Sequence, residues 1–566
     1  MNMKAKAELQ PSTAPWLAII GLFHAMLVYW YWFVCDDSYI SFRYSRNWAS
    51  GIGIRYNAAE EIPIEGYSNF LWMAIGAVVE WARLDVALVM PLASAFCGLV
   101  LLAYFFWTLW RQLGLAQKAA LLATAGLALA PPFFVWSTSG LATMPFALAF
   151  FGTFERLVIS RHRWSWLHGV TWALLMGLLR TEGIFWALTL LAVFVTARVV
   201  ETKSTEPGGP GANCGVDWRR MGQFMATLLV AYGAYLLWKH SYFHTIIANT
   251  AHAKVSLGWP RIWRGICYVI VFHLTFVTPV FLVLSGIYAA RSRKAVAVVA
   301  LVMWVGFSAY AALIGGDYMT FFRLFVPGLP FLMLLFALLL DELWQKSRQI
   351  WLIVGAIAMI VIALLPAFDF HAVPLDYRAQ FPFRLRKDDF HSEREQWKDM
   401  VKNTDSWRKR GLALKQVSGP DDSFVAAAIG AVGYFSEISH LYDRNGLVDR
   451  EVALMPAPEG PLTESPGHDK TVDRNFFLDQ KPTIIEAKLI FPPEVRKQIR
   501  QANQQWRHKP TSNAYVWDNY LPDFAEVEID GETGMYLMVL RLRQPEDPSP
   551  AEIEETWFQR TFELPK

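Results

Sequence analysis

The chain has 566 residues, enough for more than one domain, with 54% hydrophobic and 18% charged. Soluble domains carry roughly 25% charged residues, so a wholly water-soluble chain is disfavoured. The net charge of +3 is too small to suggest nucleic acid, and no nucleic-acid partner is expected. Charges are sparse up to about Phe368 and dense afterwards, which divides the sequence into a membrane part, 1–367, and a soluble part, 368–566.

The first apolar run, Pro15 to Val34, is long, ends in Trp and Tyr, and lacks a small-residue cleavage site, so it reads as a retained span. A crossing helix needs ~20 apolar residues. Candidate spans are 14–35, 86–109, 119–138, 141–159, 164–179, 183–199, 222–238, 265–290, 295–314, 324–341 and 350–367, about eleven in all. Basic clusters occupy every second loop: Lys4/Lys6, Arg111/Lys118, Arg161/Arg163, Arg219/Arg220, Arg291/Arg293/Lys294 and Lys346/Arg348. Lys and Arg accumulate on the cytoplasmic side, so the expected protein is a multi-pass one of the cytoplasmic (inner) membrane with a cytoplasmic N-terminus. The parity requires Phe70 to Leu84 to stay out of the count. That stretch is short and carries Glu80 and Arg83, which suits an interfacial or re-entrant helix.

The outward segments are then 36–85, the turns near Ser139 and Arg180, 239–264, 315–323 and everything after about 368. The inward loop around Glu206 is a Pro/Gly connector. The cysteines, Cys35, Cys97, Cys214 and Cys267, all precede the soluble part, which therefore has no disulfide framework. In that part Ser423 to Ala428, Thr483 to Leu489 and Met535 to Leu542 read as strands, and Gly430 to Phe435 as a turn and short helix. The fold class expected is mostly α: a polytopic helical membrane domain followed by an extracytoplasmic α/β domain. Trp397, Trp407, Trp506 and Trp517 in the latter are either glycan contacts or core.

Ionisable residues gather where the outward segments leave the bilayer. Asp36 and Asp37 directly follow the first span. They either terminate that span at the headgroups or supply a general base, since a like charge and partial desolvation raise one carboxylate's pKa. Successive helical residues point about 100° apart, so one of the two faces a reaction centre. Ser38 to Ala49 places Tyr39, Phe42, Arg43 and Arg46 at helical spacing, which suits an amphipathic helix against anionic lipid heads. In 239–264, Lys239, His240, His244, Asn249, Thr250, His252 and Lys254 cluster, without the Glu that a zinc-protease arrangement needs. Lys254 and Asn249 suit a phosphate. Arg180 with Glu182, and Asp317 with Arg323, are either ion pairs of tight turns or parts of the same site. An enzyme acting on a lipid phosphate needs cations for the phosphate and carboxylates for hydroxyls.

Asp36-Asp37-Ser-Tyr-Ile-Ser-Phe-Arg43, then Gly53, Asn57 and Glu65-Gly-Tyr67-Ser-Asn-Phe-Leu-Trp72, resembles the first outer loop of GT-C superfamily glycosyltransferases. Within that superfamily it is similar to the mycobacterial arabinofuranosyltransferases that finish cell-wall arabinan. Ser139-Gly-Leu-Ala-Thr143, Leu179-Arg-Thr-Glu-Gly183, Asn249-Thr-Ala-His-Ala-Lys254, Gly315-Gly-Asp-Tyr-Met319 with Arg323, Gly430-Ala-Val-Gly-Tyr434, Asp443-Arg-Asn-Gly-Leu-Val-Asp449 and Gly467-His-Asp-Lys470 extend the resemblance over most of the chain. Ala142 stands where the family usually has Glu, and the stretch from Asn57 to Glu65 is slightly longer than the family's.

The resemblance implies inverting transfer of a sugar from a polyprenyl-phosphate donor to a cell-envelope glycan acceptor. It implies Asp36 as general base with Asp37 as assistant or alternate, and Lys254, Arg323 and Arg43 at the donor phosphate. It further implies Asp317, Glu182, Arg180, Asn249, Glu65, Tyr67 and His468 as substrate-binding residues. No obligatory metal is expected, because a monophosphate leaving group needs less metal help; magnesium or calcium at Asp36/Asp37 is the alternative. The rival classes are a lipid-linked-sugar transporter, which favours midplane charges and repeated halves, and a non-catalytic glycan-binding assembly protein.

Overall fold

The computed structural model of the protein describes residues 13–160, 162, 164–203, 216–254, 258–292, 294–344, 349–384, 391–457, 462, 464–491 and 514–547. The connector at Glu206, Cys214, Trp506 and the basic residues Lys4, Lys6, Arg161, Arg163, Arg293, Lys346 and Arg348 lie outside the described residues.

Helix α1, Thr13–Trp30, has 18 residues, and at 1.5 Å per residue it covers about 27 Å, close to the hydrocarbon thickness. Among the described residues five more helices are long and apolar enough to cross: Val86–Gln112, Gly183–Glu201, Trp218–Phe243, Ala295–Leu313 and Thr320–Trp344. Their outer faces are apolar where a soluble protein would be polar. Leu22, Tyr29, Val230 and Leu237 are 74–81% exposed, a surface that lipid covers and water does not tolerate at this extent. The protein is therefore a multi-pass membrane protein.

Several expected spans are interrupted. The 119–138 run breaks between Gln117–Ala128 and Pro131–Val135, because Pro131 cannot continue the helix that ends before it. The 141–159 run is Thr143–Phe154 followed by a π-helical turn, Glu155–Ile159. The 265–290 run is two helices, Trp259–Thr275 and Pro279–Ser292, parted by a turn with Val277 at φ 50°.

The first loop folds into α2, Asp36–Ala49, and α3, Phe70–Trp81. At 12 residues α3 rises about 18 Å, too short to cross. It packs closely on α2: a Cβ at Gly76 would meet Ser45 Oγ at 2.6 Å, and Ser45 Oγ donates to the Met73 carbonyl at 2.7 Å. The expected surface helix on lipid is corrected here, because Ser38 through Ser45 are all buried. Instead α2 lies between the bundle and the soluble domain.

The soluble domain opens on a helix, Glu393–Val417, whose Ser392/Glu395 capping box satisfies its first N–H groups. Five strands follow: β1 Ser423–Ala426, β2 His440–Asp443, β3 Ile484–Ile490, β4 Tyr520–Ile529 and β5 Glu532–Leu542. They form one sheet in the order β2-β1-β3-β5-β4. The β2-β1-β3 half is parallel and the β3-β5-β4 half antiparallel. Trp397 belongs to the joint between the domains, partly buried against the bundle core and 4.7 Å from the Tyr31 ring.

Candidate active site

A cavity of about 510 Å³ lies between the helical bundle and the soluble domain. Its floor and walls come from segments far apart in sequence: the start of α2, Tyr67 to Asn69, the Arg180–Glu182 turn, Thr250 to Lys254, and Gly316 to Leu324. Asn445, Leu447 and Pro466 to His468 of the soluble domain close the roof.

The beginning of α2 is held from several sides. Cys35 N–H donates to the Ser139 carbonyl at 2.9 Å, Ser38 Oγ donates to the same oxygen at 2.7 Å, and Trp72 Nε1 donates to Gly140 O at 2.8 Å. Two acids in the first turn also suit the positive end of the helix dipole. The pair then diverges. Asp37 lines the cavity with its carboxylate 4.0 Å from Lys254 Nζ. Asp36 is not among the lining residues: its Oδ1 accepts from Ala431 N–H of the soluble domain at 2.7 Å. Burial pushes the Asp36 carboxyl up to about 7, against the lowering pull of that N–H.

Opposite Asp37, Arg323 pairs with Asp317 at 2.9 Å and lies 5.4 Å from the Trp136 ring centre. Two glycines shape this wall. Gly315 and Gly316 have φ of 85° and 78°, and a Cβ on them would meet Arg261 at 2.5 Å and Tyr268 at 2.8 Å. The following Phe321 and Phe322 are also left-handed, at φ 49° and 50°, a costly conformation for bulky residues that recurs at functional sites. Deeper in, Arg180 Nε donates to Glu182 at 2.5 Å and Tyr310 OH donates to the same carboxylate at 3.3 Å. Burial works to raise the Glu182 pKa, but the Arg180 guanidinium, a backbone N–H and the Tyr310 hydroxyl together outweigh it and leave it lowered. Glu182 is thus a fixed anion that orients, not a group that exchanges protons near neutrality.

Of the residues expected at the site, the structure brings together Asp37, Lys254, Arg323, Asp317, Glu182, Arg180, Tyr67 and His468. Four lie elsewhere. Asp36 is one. Arg43 is the second: its guanidinium donates to the carbonyls of Tyr56, Gly433 and Ile438 at 2.8, 2.6 and 2.5 Å, which leaves no free fork for a phosphate. Asn249 Nδ2 donates to the carbonyls of Gly446 and Leu447 at 2.9 and 3.0 Å, tying the loop to the soluble domain. Glu65 forms a buried pair with Lys239 at 2.7 Å. These residues brace the site from behind.

Sequence reasoning missed Tyr310, gave no role to Tyr318 and Asn445 within their motifs, though all three line the cavity, and missed a buried cluster behind its roof. Asp469 accepts from Arg261 at 2.5 Å and from Arg264 at 2.7 Å, fastening the segment that carries His468. Two arginines three residues apart, Arg261 and Arg264, at the start of the helix Trp259–Thr275 were the available signal.

A divalent ion does not fit the Asp36/Asp37 pair, because one carboxylate is turned to Ala431 and the other to Lys254. Among the described residues no three His, Cys, Asp or Glu side chains gather as a metal site.

Residues 393–528 match a domain family described as a domain of unknown function, DUF8728. No curated protein matches the sequence. Among solved structures, ArnT from Cupriavidus metallidurans in the apo state is similar with a TM-score of 0.51 at 13% identity, over 93% of this chain and 98% of that one. ArnT from the same organism bound to undecaprenyl phosphate gives 0.52 at 14% identity, over 94% and 99%. ArnT is a GT-C glycosyltransferase. The chain has a GT-C fold. In this fold the cavity lies at the junction of the helical bundle and the soluble domain, with contributions from both.

Proposed function

We propose that the protein is an inverting glycosyltransferase that moves a sugar from a polyprenyl-phosphate donor to a hydroxyl of a cell-envelope glycan. The observation that carries this reading is the meeting of Asp37, Lys254 and Arg323 around one cavity. Asp37 removes the acceptor proton as the acceptor oxygen attacks the anomeric carbon. The bond from that carbon to the phosphate oxygen breaks, and the phosphate leaves with the electron pair. Lys254 and Arg323 neutralise the charge that develops on it, the kind of fixed electrostatic help that supplies much of such a rate enhancement. Asp317 holds Arg323, and the Glu182–Arg180 pair orients the sugar hydroxyls, with Tyr67 and His468 at the rim. Assigning the base to Asp37 inverts the order within the acid pair that resemblance alone implied, and it follows from which carboxylate lines the cavity.

The polyprenyl lipid as partner is supported by ArnT's complex with undecaprenyl phosphate. Arabinofuranose as the sugar rests on the motif resemblance. The alternation of basic loops supports an inner-membrane protein whose cavity and soluble domain face outward. Ionisable groups collected under a soluble domain, instead of at the bilayer midplane, favour a transferase over a transporter.

The test is transfer by purified protein from a panel of polyprenyl-phosphate sugars to acceptor oligosaccharides. Product is expected from at least one donor, and Lys254→Gln and Arg323→Gln are each expected to lower turnover by about 10²-fold. No metal takes part in this scheme, so EDTA is expected to leave the rate unchanged, and a rate restored only by magnesium or calcium would refute that element. Absence of transfer from every donor in the panel, by protein shown to be folded, would count against the whole reading.

A further inference from the structure

A second cavity, of about 670 Å³, lies wholly within the soluble domain. It sits where the parallel half of the sheet changes direction: the chain passes from β1 to β2 on one side and returns to β3 on the other. β1 and β3 pair only at Phe424 with Ile484. Beyond that pair the strands part, and Val425 to Ala428 and Ile485 to Lys488 become facing walls. Crevices at such reversals, beyond the carboxyl ends of parallel strands, are general ligand sites in open α/β sheets.

The lining is chemically selective. Four basic side chains, Arg410, Arg444, Arg474 and Lys488, face two acidic ones, Asp473 and Glu486, with Trp407 on the helix beneath. Glu486 is paired with Arg474, and Arg444 Nε is used by the Val472 carbonyl. Arg410 differs. Its Nε is buried with no hydrogen-bond partner among the described residues, a costly state for a guanidinium unless a ligand completes it. Burial also depresses the Arg410 pKa, against the raising pull of the Glu486 carboxylate.

We propose that this cavity binds an acidic saccharide. The excess of cations selects a carboxylate- or phosphate-bearing sugar, the two carboxylates accept from its hydroxyls, and an indole is a suitable surface for a sugar ring. The volume far exceeds the ~30 Å³ share of a water and falls within the range of small-molecule pockets, so an inorganic anion alone underfills it. Ala427 and Ala428 line this cavity. The Ala427 carbonyl accepts from Asn445 Nδ2 at 2.6 Å, and Asn445 lines the cavity of Asp37. Three residues further on, Gly430 and Ala431 touch Asp36. One short turn thus separates the two cavities, so a glycan held here lies against the wall of the proposed transfer site. Binding itself does not depend on the transferase reading; only that positional consequence does.

The test is calorimetry on full-length protein in detergent at low salt, with four probes: a uronate-containing oligosaccharide, a sugar 1-phosphate, a neutral oligosaccharide and inorganic phosphate. At least one acidic sugar is expected to bind, and which of the first two binds more tightly separates carboxylate from phosphate recognition. The neutral sugar and inorganic phosphate are expected to bind at least about tenfold more weakly, and Arg410→Gln to weaken the acidic sugar by at least about tenfold. Lys488→Glu, on the exposed side of β3, is expected to do the same without risk to the fold. Arg410 and Lys488 line this cavity and not that of Asp37, so weakening in both variants assigns the binding here and keeps this result separate from the transfer assay. Equal binding of the neutral sugar or of inorganic phosphate, unchanged binding in both cavity variants, or no binding of either acidic sugar would overturn the proposal.

Discussion

Asp36 and Asp37 are neighbours in sequence with different partners: an N–H of the soluble domain for the first, Lys254 and the cavity for the second. Their titration should separate them. Burial pushes the Asp36 carboxyl up to about 7 in the folded protein, from an ordinary value of 3.8. A carboxyl raised in this way contributes most to stability below the unfolded value, and that contribution is lost as pH rises through the folded one. The melting temperature of wild type relative to Asp36→Asn is therefore expected to fall between about pH 4 and 7, with the gap widest above neutrality. A constant gap across that range, measured in detergent by intrinsic fluorescence, would refute the assignment.

At the scale of elements, the first loop is a strut that binds bundle to soluble domain. The Glu65–Lys239 pair is 1–2% exposed at its side chains, and breaking a buried pair on one side costs about 3–5 kcal/mol. Lys239→Met is expected to lower stability by that order in thermal melts, and Glu65→Met together with Lys239→Met to recover most of the loss. The elements themselves were largely legible. Apolar length revealed α1 and the other long helices, and alternation revealed β3 and β5. β4 was hidden by Pro522, which breaks the usual strand pattern and is tolerated because β4 is the sheet's edge. β2, with four residues, gave too short a pattern. The break at Val277 was hidden inside a continuous apolar run, whereas Pro131 and Pro132 marked the break at Ala130 in a run read as one span. The site was legible by residue type and not by direction: adjacent acids and two cationic loops stood out, but no periodicity tells that Arg43 and Asn249 spend their donors on backbone carbonyls.

At the scale of the whole molecule, a membrane bundle and a soluble domain share one cavity, and its sidedness fixes what it can meet. Trp259→Cys, at a side chain 67% exposed, is expected to react with a membrane-impermeant maleimide applied to intact cells; labelling only after the membrane is opened would reverse the proposed orientation.

The most direct measurement is turnover of wild type and Asp37→Asn at saturating donor and acceptor. Loss of the general base is expected to lower kcat by about 10²–10⁴-fold with donor affinity retained, while Asp36→Asn keeps most of its activity. Full turnover by Asp37→Asn would contradict the account.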